Sequence, residues 1–216
     1  MRRFDAVLFD LDGTLVHSSP GIFEGHIYTC ARFGLDVSGR DLSPYLGPPL
    51  RSNFLNLLGD AEQADRAVEI YREHYDKVGR HMCEPYPGIR ELLQKLKEEG
   101  LTLGIATCKV WDVARAVAEE KELAPFFSYV GGATHDGTIE TKTEVIRSVL
   151  EQEAFRGKRV LMVGDREGDI LGAKDCGLVS AGVLYGYGSL EELTQAGADR
   201  LAEDAAGLEK ICLEEE

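Results

Sequence analysis

The chain has 216 residues, 44% of them hydrophobic, which is enough for one well-buried core and a smaller accessory unit but not for several independent domains. Its formal charge of −14 repels polyphosphate backbones and anionic membrane surfaces, so neither a nucleic acid polymer nor a membrane is expected as a partner. Five cysteines without a short paired spacing argue against a disulfide framework, and no export signal or membrane-spanning run is readable, so we expect a cytoplasmic protein. Its oligomeric state stays open between monomer and homodimer.

The first predicted element is the buried strand Ala6–Phe9, a short continuous apolar run that ends at Asp10. Four similar runs follow, and they alternate with helical patterns such as residues 88–99 and 142–153. The four runs are residues 101–107, 127–131, 159–164 and 179–185. This alternation predicts an α/β fold, built as a doubly wound parallel sheet with right-handed crossovers.

The interval between the first two predicted strands, residues 16–83, is far longer than a crossover requires. It shows helical periodicity and no convincing strand, so we interpret it as an inserted all-helical cap. Pro85, Pro87 and Gly88 mark the return of the chain to the core. Residues 1–15 and 84–216 then form the α/β core.

Polar residues follow or end three of the predicted strands, and one begins a helix. They are Asp10 and Asp12 after the first strand, Thr107 at the end of the second, Lys142 at the start of the helix after the third, and Asp165 and Asp169 after the fourth. Ligands of open α/β sheets bind beyond the carboxyl ends of the strands, so we expect these side chains to converge. Helix capping explains a lone aspartate at a strand end, but not this whole set.

Four converging carboxylates, from Asp10, Asp12, Asp165 and Asp169, repel one another unless a cation holds them ionised. Mg²⁺ is the natural candidate because it prefers oxygen ligands and commonly works on phosphate substrates through a few carboxylates. The sequence therefore predicts an Mg²⁺ site at this edge of the sheet.

Asp10 and Asp12 lie two positions apart and can divide the work of phosphoryl transfer. Attack on phosphorus by Asp10 gives an aspartyl-phosphate, which splits one hydrolysis into two easier steps. Asp12 can protonate the leaving alkoxide and then deprotonate the attacking water. The Thr107 hydroxyl and the Lys142 ammonium are candidates for binding the phosphoryl oxygens.

In these motifs the chain resembles the phosphatases of the haloacid dehalogenase superfamily over nearly its whole length. The Asp-Leu-Asp-Gly-Thr block at residues 10–14, Thr107, Lys142, and Gly164-Asp165 with Asp169 match the four motifs of that superfamily in order and approximate spacing. The resemblance implies a Rossmann-like core, and it implies these roles: Asp10 as nucleophile, Asp12 as acid/base with its backbone carbonyl on Mg²⁺, and Asp165 and Asp169 as metal ligands. Members that cleave carbon–halogen bonds lack the second aspartate, so Asp12 favours phosphoryl transfer.

Residues 47–50 and 184–189 resemble the phosphoglycolate phosphatase-like branch, especially its 5′-nucleotidase-like members. Cys108 stands where this branch usually has serine or asparagine, and is interpreted as a phosphate-binding position that uses its backbone N–H or, alternatively, as a redox-sensitive thiol. Arg51 is a candidate for binding the distal anion of the substrate, or a solvated residue in the first turn of a helix. Tyr185 and Tyr187 fit either aromatic ligand contacts or a tight turn.

Together these features predict a Mg²⁺-dependent phosphatase that acts on a small phosphorylated metabolite. Phosphoglycolate, a nucleoside monophosphate and a sugar phosphate all stay open as substrates. A β-phosphoglucomutase-type phosphomutase shares the core and the cap and is an alternative. A non-catalytic phosphometabolite-binding protein is an alternative of another class, although retention of all the motif side chains argues against it.

Overall fold

The computed structural model describes residues 3–215, which divide into two compact units. The first unit comprises the residues up to His17 and those from Pro85 onward, and the second is Ser18–Glu84. Among residues 3–215, no helix is both long and apolar enough to cross a membrane.

The first unit is built on a parallel sheet. Within residues 3–215 the strands are β1 (Ala6–Phe9), β2 (Val16–His17), β3 (Glu84–Pro85), β4 (Thr102–Val110), β5 (Tyr129–Ala133), β6 (Val160–Gly164), β7 (Val179–Val183) and β8 (Arg200–Ala202). Six of them form the sheet in the spatial order β5-β4-β1-β6-β7-β8, with every neighbouring pair parallel. The short strands β2 and β3 lie where the chain leaves and re-enters the first unit along the sequence.

The central strand β1 brings the functional segments together. All four of its residues are buried, as expected for an apolar strand covered on both faces. It pairs with β4 on one side and with β6 on the other, and Phe9 is in register with Ile105 and Val163. The carboxyl ends of β1, β4 and β6 therefore meet at one edge of the sheet.

Helices occupy both units. In the second unit they are α1 (Ser19–Arg32), α2 (Leu50–Leu58) and α3 (Ala61–Lys77), and in the first unit α4 (Ile89–Glu98), α5 (Trp111–Glu120), α6 (Lys142–Leu150), α7 (Glu167–Asp175), α8 (Leu190–Ala196) and α9 (Ala205–Cys212). Apolar side chains of α6 and α7, such as Ile146 and Ala173, pack with Leu8 and Met162 of the sheet in one buried cluster. Burial of this apolar surface stabilises the sheet.

The predicted doubly wound α/β fold is confirmed, and all five predicted strands form. The strand predicted over residues 101–107 continues to Val110, and the helix predicted over residues 142–153 ends at Leu150. The edge strand β8 was missed by sequence analysis.

Candidate active site

The predicted site residues of the first unit come from neighbouring elements. Asp10 directly follows β1, Thr107 lies in β4, and Asp165 directly follows β6. Lys142 is the first residue of α6, and Asp169 lies in the first turn of α7. Because β1 lies between β4 and β6, these residues gather at the carboxyl edge of the sheet, as predicted for ligand sites in such folds.

Three of the four predicted aspartates form a tight cluster. Ligand oxygens of Asp10, Asp165 and Asp169 lie within 4.8 Å of one another, and all three residues are buried. The Lys142 Nζ lies 2.8 Å from Asp10 Oδ1 and 2.7 Å from Asp169 Oδ1. It also donates a hydrogen bond of 3.0 Å to the carbonyl oxygen of Ala106. Lys142 thus contacts two of the carboxylates with one ammonium.

Burial is the largest influence on the charge of this cluster. It raises the pKa of Asp10 to about 6, an effect that Lys142 opposes and Asp169 reinforces. Burial, together with Asp169 and Asp10, also raises the pKa of Asp165 well above its usual range. For Lys142 burial acts against the charged form, but Asp10 and Asp169 outweigh it and hold the pKa well above its ordinary value. The single ammonium of Lys142 is therefore not enough to keep the pKa values of Asp10 and Asp165 in their ordinary range.

These side chains fit a divalent cation. Lys142 pairs with two of the three carboxyl groups, and if all three were ionised its single ammonium would leave two formal negative charges in a buried space. Carboxylate oxygens are the hard ligands that Mg²⁺ prefers, and a divalent ion would balance both charges. Asp10, Asp165 and Asp169 are therefore the side chains that would hold the metal. The cluster does not include the carboxylate of Asp12, for which the resemblance implied a backbone ligand.

The Asp12 side chain instead pairs with Lys109. The Lys109 Nζ donates to both carboxylate oxygens, at 2.8 and 3.0 Å, and the side chains of Lys109 and Asp12 are only 11% and 19% exposed. No role was predicted for Lys109 from the sequence. The available signal was its position, since it directly follows the Thr107-Cys108 pair in β4.

The two other predicted residues of β4 lie beside this pair. Thr107 is buried, and its hydroxyl oxygen accepts a hydrogen bond of 3.2 Å from the backbone N–H of Lys109. Cys108 is partly buried, and burial raises the pKa of its thiol to about 11, against the opposing effect of Lys142. A thiol that stays protonated at neutral pH is a poor nucleophile, which disfavours the redox-sensor interpretation of Cys108.

Asp165 is held on both of its oxygens. The Thr14 hydroxyl donates to Oδ1 at 3.2 Å, and the backbone N–H of Tyr187 donates to Oδ2 at 2.7 Å. The Tyr185 hydroxyl in turn donates to the carbonyl oxygen of Thr14 at 3.0 Å. Gly186 lies so close that a Cβ there would be 2.3 Å from the Cβ of Asp165. The loop after β7, which sequence analysis treated as a marker of kinship, therefore supports a candidate metal ligand.

Arg51 belongs to the second unit. It lies on α2, and its guanidinium pairs with Asp65 of α3, with Nε 2.6 Å from Oδ1 and Nη2 3.3 Å from Oδ2. Its role in substrate binding stays a prediction.

Comparisons with known proteins identify the family of the chain. A family model described as haloacid dehalogenase-like hydrolase matches residues 7–183. The chain is 36% identical over 211 residues to a 5′-nucleotidase of Pseudomonas aeruginosa, which covers 97% of this chain and 96% of that protein. It is 34% identical over 183 residues to the tyrosine-protein kinase PtkA of Mycobacterium tuberculosis, which covers 84% of this chain but only 62% of that protein. A solved structure of a predicted phosphatase from Clostridium acetobutylicum matches with a TM-score of 0.92 and 37% identity, covering 97% of this chain and 98% of that one.

Proposed function

This chain belongs to the haloacid dehalogenase-like hydrolase family, and we propose that it hydrolyses a small phosphomonoester in a Mg²⁺-dependent reaction through an aspartyl-phosphate on Asp10. The chain is a phosphatase, as its relatives and structural neighbours indicate. The observation that carries the finer proposal is the buried cluster of Asp10, Asp165 and Asp169 with one ammonium beside it.

In the first step a carboxylate oxygen of Asp10 attacks phosphorus while the bond from phosphorus to the leaving oxygen breaks. Asp12 gives its proton to that oxygen, so the product leaves as an alcohol. The Thr107 hydroxyl and the Lys142 ammonium bind the phosphoryl oxygens, whose charge must be stabilised during transfer. Lys142 is suited to this because its Nζ already lies 2.8 Å from Asp10 Oδ1.

In the second step the Asp12 carboxylate takes a proton from water, whose oxygen attacks the phosphorus of the aspartyl-phosphate. The bond from Asp10 to phosphorus breaks, inorganic phosphate leaves, and Asp12 is protonated again. Bound at Asp10, Asp165 and Asp169, Mg²⁺ would neutralise negative charge around the phosphoryl group.

The composition supports a small metabolite as substrate and the cytoplasm as location. A formal charge of −14 disfavours nucleic acid polymers and anionic membranes as partners. All five cysteines are free, as expected in a reducing compartment. Phosphoglycolate, nucleoside monophosphates and sugar phosphates are the substrate classes that we propose to test.

The nucleophile is tested by Asp10→Asn. We expect this variant to lose at least about 10³-fold in kcat on p-nitrophenyl phosphate, because the amide cannot form the aspartyl-phosphate. Circular dichroism should show an unchanged fold, and the exposed Asp175→Asn is the matched control that keeps full activity.

Excess chelator should also stop wild-type turnover. Unchanged activity of Asp10→Asn would remove Asp10 from the reaction, and activity in excess chelator would contradict the metal assignment.

The substrate is tested with a panel of phosphoglycolate, AMP and glucose 6-phosphate, ranked by kcat/KM. We expect release of inorganic phosphate from at least one of them. Incubation with glucose 1-phosphate separates hydrolysis from mutase activity, since a phosphomutase would form glucose 6-phosphate in place of free phosphate.

A further inference from the structure

Strand β4 carries an irregularity directly beside the site. Its residue Thr107 is in register with Gly132 of β5, but the next residue of β5, Ala133, is in register with Val110. Cys108 and Lys109 are therefore extra residues of β4 that have no partner position on β5. Bulges of this kind bend a strand and re-aim its side chains, and they are common next to active sites.

Gly132 makes room for this bulge. A Cβ at position 132 would lie 2.5 Å from the carbonyl oxygen of Lys109, 2.7 Å from the Cα of Trp111 and 2.8 Å from its backbone nitrogen. All three are backbone atoms, which cannot move aside as the end of a flexible side chain can. The bulged course of β4 therefore depends on glycine at position 132.

The bulge places the Lys109 ammonium on the Asp12 carboxylate, with both oxygens in hydrogen-bonding range and both side chains largely buried. The two lysines of the site thus serve different carboxylates, since Lys142 contacts Asp10 and Asp169. Asp12 is not one of the three clustered carboxylates, and in the proposed reaction its position decides whether a proton reaches the leaving oxygen.

We propose that Lys109, aimed by the β4 bulge, is a positioning residue that holds Asp12 where it can exchange protons with the leaving oxygen and the attacking water. This role rests on the proposed phosphatase reaction. Asp12 loses its proton to the leaving oxygen in the first step and regains one from water in the second. Between the steps it is a carboxylate, and this is the form with which a lysine ammonium pairs.

The test compares kcat/KM on two kinds of leaving group. p-Nitrophenolate leaves readily without a proton, whereas an alkoxide needs one, and kcat/KM reports only the steps up to departure of the leaving group. Lys109→Met should therefore lose roughly tenfold more in kcat/KM on the best alkyl phosphate of phosphoglycolate, AMP and glucose 6-phosphate than on p-nitrophenyl phosphate. Asp12→Asn should show the same selectivity, and Lys109→Met should add little to the selectivity of Asp12→Asn in the double variant.

Three further variants separate positioning from a general structural effect. Lys109→Arg keeps a cation on Asp12 and should recover most of the alkyl phosphate activity. Gly132→Ala should disturb the bulge and reproduce the selective loss without removing any charge. Lys158→Met removes a lysine that donates to the hydroxyl of Thr102, and should leave both activities unchanged.

The outcomes distinguish the assignment from the reaction. Equal loss on both substrates, or no loss, in Lys109→Met would overturn the positioning role while active wild-type enzyme still supports the phosphatase. An inactive wild-type enzyme, on aryl and alkyl phosphates alike, would refute the proposed reaction and the role of Lys109 with it.

Discussion

Asp165 has no exposed surface, and both of its carboxylate oxygens accept hydrogen bonds from within the first unit. One donor is the backbone N–H of Tyr187, which no substitution except proline removes. The other is the hydroxyl of Thr14, which is buried and close to isosteric with valine. Donors of this kind fix the orientation of a metal ligand, and their loss commonly weakens metal binding by about 10–100-fold.

We therefore expect Thr14→Val to raise the Kd for Mg²⁺ by roughly tenfold, since Asp165 Oδ1 loses the donor that orients it. Isothermal titration calorimetry on the substrate-free protein measures this without reference to turnover. Thr14→Ser should bind like the wild type, because it keeps the hydroxyl. Thr143→Val is the matched control, since its hydroxyl donates to Asp175 on the surface. An unchanged Kd in Thr14→Val would show that this hydrogen bond does not position Asp165.

The site residues predicted from the sequence and those added by the structure differ in how their chemistry is encoded. Asp10 and Asp165 directly follow apolar strands, so local pattern and the rule for open sheets were enough to bring them together. Thr14 and Lys109 hydrogen-bond to partners 151 and 97 positions away. Their contacts depend on a loop packed against the site and on a bulge, and neither is written in the periodicity of a single segment.

At the scale of elements, the predicted starts were most accurate where a local signal defines them. The start of α6 at Lys142 was predicted, and a capping box between Thr141 and Glu144 defines it in the structure. The end of β4 was missed because its pairing with β5 continues past the polar residues of the bulge to Val110. Strand β8 was missed because it has only three residues, too few for a periodic pattern.

Helix α1 of the second unit carries a buried histidine in an aromatic cluster. The ring of His26 lies 5.8, 5.2 and 5.1 Å, between centroids, from the rings of Tyr45, Phe54 and Tyr71. Its Nδ1 lies 2.8 Å from the carbonyl oxygen of Ile22, whereas the buried Nε2 has no hydrogen-bond partner among residues 3–215. Burial lowers the pKa of His26 below its ordinary 6.5, so the folded unit holds a neutral ring.

This histidine should make the protein sensitive to acid. Below about pH 6.5 the unfolded chain binds a proton at His26 more readily than the folded state does. The free energy of unfolding therefore falls as the pH falls below about 6.5. His26→Phe keeps the aromatic packing and removes the titration, so we expect its free energy of unfolding to fall less between pH 7.5 and 5.5 than that of the wild type. Urea denaturation at both pH values measures this. His81→Phe, at an exposed position of the same unit, should keep the wild-type dependence, and an equal fall in His26→Phe would contradict the assignment.

For the whole molecule, the site is a source of instability that the rest of the fold compensates. The cluster buries three carboxyl groups beside one ammonium, in a region where an unpaired charge is costly. Such a site is expected to be least favourable in the metal-free protein. Binding of the proposed Mg²⁺ to the folded state would raise stability by mass action, by RT ln(1 + [Mg²⁺]/Kd).

The effect on the metal-free protein follows from Asp10, whose pKa rises from 3.8 to about 6 on folding. A raised carboxyl pKa gives stability that is present below pH 3.8 and lost as the pH rises through 6, a loss on the order of 3 kcal/mol at neutral pH.

In excess chelator at pH 7.5, Asp10→Asn should therefore unfold at a higher urea concentration than the wild type. The difference should shrink at pH 5, where the wild-type carboxyl is largely protonated, and Asp175→Asn should show no gain at either pH. Saturating Mg²⁺ should raise the urea midpoint of the wild type more than that of Asp10→Asn, since the variant lacks one of the proposed metal ligands. If chelator-treated Asp10→Asn is no more stable than the wild type at pH 7.5, the ionised carboxyl of Asp10 does not destabilise the metal-free fold. The argument from charge for a divalent ion at this cluster then loses its support.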